Sequence, residues 1–207
     1  MSCGAVILAA GESRRMGKLK QTLPWGDRTV VEAAVDAALG AADVCEVVVV
    51  LGHEARSVAA ALASRPRPRM RLVVNADYRI GMLSSVKTGV RALSDEIEAF
   101  LVAPADQPGI SCEDYRLVVQ AYRNARPRVD VVIPTCRGRG GHPTLFAAGL
   151  RREVLDLPYD GRGLRDLIAR HEDRVLRVEL DRPEMVADLD TAEDYERALE
   201  MMKARVY

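Results

Sequence analysis

Short apolar runs alternate along this chain with longer stretches in which apolar positions recur at helical spacing. Ala5–Ala9, Glu46–Leu51, Arg71–Val74, Ala99–Ala103 and Val129–Ile133 read as strands. Runs that are apolar at every position, such as Val6-Ile7-Leu8-Ala9, suit a parallel sheet covered on both faces. Helix starts are signalled between them. Thr29-Val30-Val31-Glu32 has the form of a capping box. Ser111 and Thr191 are each followed by acids that suit a first helical turn, and the last helix is expected to run to about Lys203. This alternation predicts an α/β fold, an open and mostly parallel sheet with helices on both faces. From about Cys136 the alternation weakens. Arg137-Gly138-Arg139-Gly140-Gly141 reads as a glycine-rich basic loop, His142–Phe146 as a short strand, and Leu150–Asp156 and Leu164–His171 as short helices. Residues 136–180 are therefore expected to form an insertion over the carboxyl edge of the sheet, where a second substrate would bind. Ser64–Arg69, basic and broken by prolines, is expected to be a solvated turn.

Composition narrows the picture. The 207 residues suit one domain spanning residues 1–207, long enough for a full core. Thirty basic and thirty acidic residues cancel, so bulk charge does not draw the chain to nucleic acid or to an anionic membrane. Aromatic residues are only 4% of the chain, which argues against a stacking surface for single strands. Cys3, Cys45, Cys112 and Cys136 are far apart with no C-x-x-C pair, which suggests neither zinc nor an iron–sulfur cluster. No signal-peptide pattern and no bilayer-spanning apolar run is seen, so the cytoplasm, with reduced thiols, is the expected location.

Any binding of phosphate must then come from local charge. The segment Val6–Lys20 joins an apolar run to a small-residue turn and then to a loop carrying Arg14, Arg15, Lys18 and Lys20. Gly11 and Gly17 are expected to let the backbone approach a ligand and adopt φ values that other residues avoid. The four cations follow the carboxyl end of a strand, where open α/β sheets bind ligands. A polyanion site is implied, most simply for a nucleoside triphosphate. A solvated basic loop would explain the charges, but not the glycines or the strand before them. The segment is neither G-x-x-x-x-G-K-[ST] nor G-x-G-x-x-G.

Two carboxylate groups complement this loop. Asp106 ends the run Leu101–Asp106, and Asp188-Leu189-Asp190 precedes the last helix. Alternation places Asp188 and Asp190 on one face. Asp106 and Asp190, with Asp188 as a further candidate, are expected to hold Mg²⁺, which prefers one or two carboxylates plus phosphate oxygens. Simpler roles are a turn aspartate for Asp106 and a helix cap for Asp190, although Thr191 already offers the cap. The set suits attack by a phosphate oxygen on a nucleotide α-phosphorus with release of pyrophosphate. Positioning and electrostatics dominate such a step, so no protein nucleophile is needed. Arg15 is expected on the β- and γ-phosphates and Lys20 near the α-phosphate, so Arg15, Lys20 and Asp106 are the candidate catalytic residues. His53, His142 and His171 have no serine or cysteine partner that suggests a triad.

The ordered motifs now resemble one family. L-A-A-G-x-S-x-R-M-G-x-x-K at Leu8–Lys20, L-P-W at Leu23–Trp25 and N-x-x-[WY]-x-x-G-M at Asn75–Met82 are followed by Ser84-Ser85. D-Q-P at Asp106–Pro108, G-H-P-x-L-F at Gly141–Phe146 and D-x-D-T-x-E-D-Y at Asp188–Tyr195 complete the series. Together they resemble the molybdenum cofactor cytidylyltransferases, within the MobA-like nucleotidyltransferases. The resemblance implies a Rossmann-like sheet of the nucleotide-diphospho-sugar transferase type, and transfer of CMP from Mg²⁺-bound CTP to the terminal phosphate of molybdopterin. It implies nucleotide contacts from Leu8, Ala9, Ala10, Gly11, Ser13, Arg15, Lys20, Gly52, Gly81, Met82, Ser84, Ser85 and Asp106. On the acceptor side it implies His142, Asp160 and Arg165. The last two lie in Leu157–Arg165, which resembles the family's G-D-x-G-x-R with one extra residue and no first glycine. CTP and the molybdenum cofactor are the implied substrates, and a molybdoenzyme maturation chaperone is an implied protein partner. Guanylyl-transferring relatives usually carry L-A-G-G where this chain has Leu8-Ala9-Ala10-Gly11, which favours cytosine.

Three alternatives stay open at this level. One is a GTP-using molybdenum cofactor guanylyltransferase. Another is a sugar- or polyol-phosphate nucleotidyltransferase, although G-H-P is not typical of those. The third is a nucleotide-binding partner without catalysis, against which Arg15, Lys20, Asp106 and Asp190 argue.

Overall fold

Strand and helix alternate from Cys3 to Ala125 in the computed structural model, which describes residues 1–204. In order, the chain forms β1 (Cys3–Ala9), a small hairpin of β2 (Pro24–Trp25) and β3 (Arg28–Thr29), α1 (Val30–Gly40), β4 (Val44–Leu51) and α2 (Ala55–Leu62). Then come β5 (Met70–Val74), α3 (Met82–Ala92), β6 (Ala99–Pro104) and α4 (Cys112–Ala125). The remainder is β7 (Val131–Cys136), β8 (Arg139–Gly140), β9 (Thr144–Ala147), α5 (Arg151–Asp156), α6 (Leu164–Arg170), β10 (Val175–Glu179) and α7 (Ala192–Ala204). The main sheet has the order β10-β7-β9-β6-β1-β4-β5, with β8 paired to β7. β1 lies at its centre, with Ile7 opposite both Val49 and Ala103 in parallel register.

The sheet is covered on both faces, as the apolar runs predict. Cys3, Ala5, Ile7 and Ala9 of β1 pack into the cluster that includes residues of α1, α2 and α4. Val6, the alternate neighbour, packs into the opposite cluster with α3, α5 and α6. Fully buried Ile7 and Val6 side chains each contribute about 1.5–3 kcal/mol of transfer free energy. A third cluster, containing Trp25, Val30 and Leu189, packs against Tyr195, Leu199 and Met202 of α7. That small cluster docks the last helix on the first hairpin and so sets the position of Asp190.

All three expected helix starts form reciprocal caps. Glu32 accepts from the Thr29 backbone N–H at 2.8 Å while the Thr29 hydroxyl accepts from Glu32 N–H at 3.4 Å. Asp114 and Asp194 make the same exchange with Ser111 and Thr191.

Two expectations change. Residues 136–180 are woven into the sheet rather than laid over it. β9 enters antiparallel between β6 and β7, and β10 adds a parallel edge strand on β7. Thr144, Leu145 and Phe146 are buried, and Phe146 stacks on Phe100 at 5.4 Å, so burial outweighs the short length of β9. The Ser64–Arg69 connector is also not simply solvated. The Arg67 side chain is only 3% exposed and pairs with Asp36 at 2.7 Å and Glu32 at 3.2 Å. A buried guanidinium requires such partners. Among the described residues no helix is long and apolar enough to cross a membrane.

Candidate active site

The loop from Ala10 to Lys20 leaves the carboxyl end of β1 and is closed at its base by Gln21. The buried Gln21 amide donates to the Gly11 carbonyl at 3.1 Å and accepts from the Ser13 hydroxyl at 3.3 Å. Ser13 in turn accepts from Lys20 N–H at 3.2 Å. The left-handed backbone of the loop is at Ser13 (φ 53°) and Gly17 (φ 65°), while Gly11 has ordinary φ. Ala9 is fully buried and Ala10 nearly so, which leaves chiefly backbone for a ligand at those two positions.

The cations are not all free. Arg14 pairs with Glu12, and Glu12 also meets Arg79 at 3.3 Å. Lys20 opens a turn spanning residues 20–22, and its side chain is only 11% exposed. Its ammonium donates to Asp106 Oδ2 and lies 3.5 Å from Asp190 Oδ1. Arg15 meets the other oxygen of Asp190 at 2.8 Å. Residues 86 and 170 positions apart from Lys20 in sequence are thus drawn to one ammonium. The backbone explains how. Ala105 N–H donates to the Leu8 carbonyl at 3.0 Å, and Leu189 N–H donates to the Asp106 carbonyl at 3.0 Å.

Asp188 and Asp190 lie on one side of the buried Leu189, as alternation predicts, but they serve different partners. Asp188 Oδ1 accepts from Gln107 at 2.8 Å. Among the described residues, Asp106 Oδ1 is buried without a hydrogen-bond partner, as are Gln107 Oε1 and His142 Nδ1. A lone buried carboxylate oxygen, beside an ammonium shared by two carboxylates, is a donor set that fits a divalent cation. No group of three or more His, Cys, Asp or Glu residues suited to a metal occurs among the described residues. Two carboxylates are sufficient where phosphate oxygens and water complete the shell. His142 sits close by: its N–H donates to the Met185 carbonyl at 2.8 Å. Burial pushes its pKa down, against the opposite pull of Asp188, the Val102 carbonyl and Asp106.

A second group of expected residues gathers between β5 and α3. Asn75 is buried and its amide donates to Ser84 at 2.8 Å and Ser85 at 3.0 Å. Ser84 also donates to the carbonyls of Asp77 and Gly81. Met82 is exposed, and Gly81 immediately precedes α3. Gly52 follows β4 directly and lies against this group. A Cβ there would stand 2.7 Å from the Cβ atoms of Ala10 and Tyr78, too close for any side chain. Asp160 and Arg165 are exposed on the 157–165 stretch, which approaches α3: a Cβ on Gly163 would lie 3.7 Å from Leu83. Among the described residues, no hydrogen bond or ion pair joins Asp160 or Arg165 to His142 or Lys20.

Sequence reasoning passed over Gln21, Gln107 and Asn75 as functional positions. Each is a buried amide that holds a candidate residue in place. Asn75 and Gln107 fall inside quoted motifs, which was the available signal. Gln21 stands one residue outside.

The chain is similar to known proteins along most of its length. The profile of the MobA-like NTP transferase domain matches residues 5–175. Nicotine blue oxidoreductase of Paenarthrobacter nicotinovorans is 33% identical, over 94% of this chain and 95% of that protein. Molybdenum cofactor cytidylyltransferase of Escherichia coli K12 is 26% identical, over 94% of each. A nucleotidyl transferase from Methanothermobacter thermautotroptrophicus superposes with a TM-score of 0.81 at 29% identity, covering 99% of each chain. Rv0371c from Mycobacterium tuberculosis, solved as a complex with manganese, superposes with a TM-score of 0.74 at 26% identity, covering 97% of this chain and 99% of that one. The motif order, the sheet and these matches agree that this chain belongs to the MobA-like NTP transferase family, a family of nucleotidyltransferase enzymes.

Proposed function

We propose that the protein transfers CMP from Mg²⁺-bound CTP to the terminal phosphate of molybdopterin and releases pyrophosphate. The observation that carries this reading is the Lys20 ammonium set between Asp106 and Asp190, with Arg15 on the second oxygen of Asp190. Two carboxylates held together by a side-chain cation can exchange that cation for a metal once a polyphosphate offers Lys20 and Arg15 better anionic partners.

Asp106 and Asp190 would hold Mg²⁺, with Asp188 as a further candidate held ready by Gln107. The bound metal would supply positive charge that neutralises the phosphate groups. Arg15 takes the β- and γ-phosphates by its planar fork. Lys20 neutralises charge at the α-phosphate, where preorganised donors accelerate transfer. Leu8–Gly11 and Ser13 offer backbone and hydroxyl groups along the nucleotide, and Gly52, Gly81, Met82, Ser84 and Ser85 frame its base and ribose. Ala10, in Leu8-Ala9-Ala10-Gly11, favours cytosine. His142 would face the acceptor, with Asp160 and Arg165 in reach of its more distant part. The similarity to the Escherichia coli cytidylyltransferase supports the choice of nucleotide and acceptor.

The test is pyrophosphate release with Mg²⁺ and molybdenum-loaded molybdopterin, comparing CTP, GTP, ATP and UTP. Release with CTP alone supports the reading, and release with GTP alone replaces it with guanylyl transfer. Asp106→Ala should abolish release while the melting transition stays cooperative. The 33% identical nicotine blue oxidoreductase favours a second reading, a redox reaction on nicotine blue. Protein-dependent change in the visible absorption of nicotine blue in the presence of a reductant, with no pyrophosphate from any nucleotide, would establish that reading instead.

A further inference from the structure

A cavity of about 430 Å³ lies between the β7–β8 turn, residues 183–190 and the first turns of α7. This falls within the size range of small-molecule sites, about 300–1,000 Å³. Asp188 and Asp190 form part of its wall, and Arg137 and Arg139 form another part. Among the described residues none of the 10–20 loop lines it, but Arg15 and Lys20 both reach Asp190, so the cavity adjoins the Lys20 site through that carboxylate.

The arginine turn is built and held. Arg137 (φ 53°) and Gly138 (φ 74°) are both left-handed, the form of a tight two-residue hairpin turn. Glu179 of β10 fastens it, accepting from Arg137 N–H at 2.5 Å and from the Thr135 hydroxyl at 2.6 Å. The guanidinium of Arg139 makes one long bond, 3.4 Å, to the Val186 carbonyl. Neither arginine forms an ion pair among the described residues, whereas Arg197 on the same wall is tied to Asp194. Two guanidinium groups without acidic partners, on a fixed turn, match the planar fork geometry that binds phosphate oxygens.

We propose that this cavity seats the phosphate monoester that accepts the nucleotidyl group, with Arg137 and Arg139 binding its dianion. The assignment rests on the nucleotidyl-transfer reading and deepens it. One acceptor oxygen, directed toward Asp190, forms the new bond to the α-phosphorus. The bond from that phosphorus to the bridging oxygen of the leaving group breaks, and pyrophosphate departs with its electron pair. No proton donor and no further reactant is required. Repulsion from Asp188 and Asp190 is relieved when a divalent cation occupies them. Arg165 beside α3 is then left for another part of the acceptor.

Calorimetric titration of the full chain with inorganic phosphate and Mg²⁺ tests this, with and without a saturating non-hydrolysable CTP analogue. The variant is Arg137→Asn with Arg139→Gln, since asparagine tolerates the left-handed backbone. Phosphate affinity should fall at least tenfold, CTP-analogue affinity should stay within twofold, and the thermal transition should stay cooperative. The double lysine variant should retain most of the phosphate affinity. Phosphate affinity within twofold of wild type, or no measurable phosphate binding by the wild type, overturns the proposal. An equal fall in analogue affinity also overturns it, because the arginines would then serve the nucleotide. Failure of the wild type to bind the analogue counts against the cytidylyl reading alone, and the nucleotide-free titration still decides the role of the arginines.

Discussion

Replacing Lys20 by methionine keeps most of the side-chain bulk and removes the shared ammonium. Asp106 then loses its ion partner, while Asp190 keeps Arg15 at 2.8 Å. The three side chains are 11%, 20% and 30% exposed, between a surface pair and a buried one. Exposed pairs contribute up to about 1 kcal/mol, whereas orphaning a buried charge costs about 3–5 kcal/mol. An intermediate loss of about 1–3 kcal/mol follows. For a chain of this size each kcal/mol moves the melting temperature by about 2–4 °C, so Lys20→Met should melt about 2–12 °C lower in EDTA. Mg²⁺ should restore more stability to the variant than it adds to the wild type, because no ammonium has to be displaced. Turnover should nevertheless remain down by about 10²–10³, the usual effect of losing a preorganised donor. Scanning calorimetry with EDTA and with Mg²⁺, beside pyrophosphate release, measures both. Equal Mg²⁺ gains for the two proteins would refute the idea that Lys20 occupies the cation's place.

Other outcomes follow from the same structure. Burial pushes the Glu32 carboxyl up, but hydrogen bonds from Ser64, Thr29 and Arg67 outweigh it and hold its pKa at about 2. Its contribution, roughly 3 kcal/mol, is therefore complete above pH 4.5 and is lost as pH falls toward 2. Denaturation across that range should show the stability gap between wild type and Glu32→Gln closing as acid is added; a constant gap contradicts the assignment. His142 titrates below 6.5 in the fold because it is buried, so unfolding takes up a proton in mild acid and stability drops as pH falls through 6.5. His142→Gln should flatten that part of the stability curve, and an unchanged slope would show that another group controls it. Gly52→Ala drives a methyl against Ala10 and Tyr78. It should cost about 1–3 kcal/mol in chemical denaturation and weaken CTP binding in calorimetry, whereas a neutral result would mean the cleft relaxes freely.

The legibility of the chain differed by element. Apolar runs located β1, β4 and β6 because strands buried on both faces need apolar side chains at every position, whereas β5, an edge strand with Leu72 and Val74 exposed, was marked only by the short run Leu72-Val73-Val74. Glu32, Asp114 and Asp194 marked three helix starts because a cap is a contact between residues three apart. β9 and β10 were harder: Thr144–Ala147 is short, and Val175–Glu179 alternates like any half-exposed segment. Their place in the sheet depends on β6 and β7, which are distant in sequence. Arg67 resembled a solvated cation because Glu32 and Asp36, its partners, lie thirty-odd positions away.

Sequence alone determined the alternating α/β plan, the cationic loop after the first strand and the carboxylates Asp106, Asp188 and Asp190. Those features rest on local periodicity, on capping and on residue types in short motifs. Tertiary structure decided how the cations are partnered: Arg14 is turned to Glu12, Lys20 lies between Asp106 and Asp190, and Arg137 and Arg139 have no acidic partner among the described residues. It also decided that buried amides of Gln21, Asn75 and Gln107 hold the site, and that His142 and Arg165 belong to different surroundings. Ion pairing and burial depend on distances in space, and those distances are set only when the sheet order brings separate strand ends together.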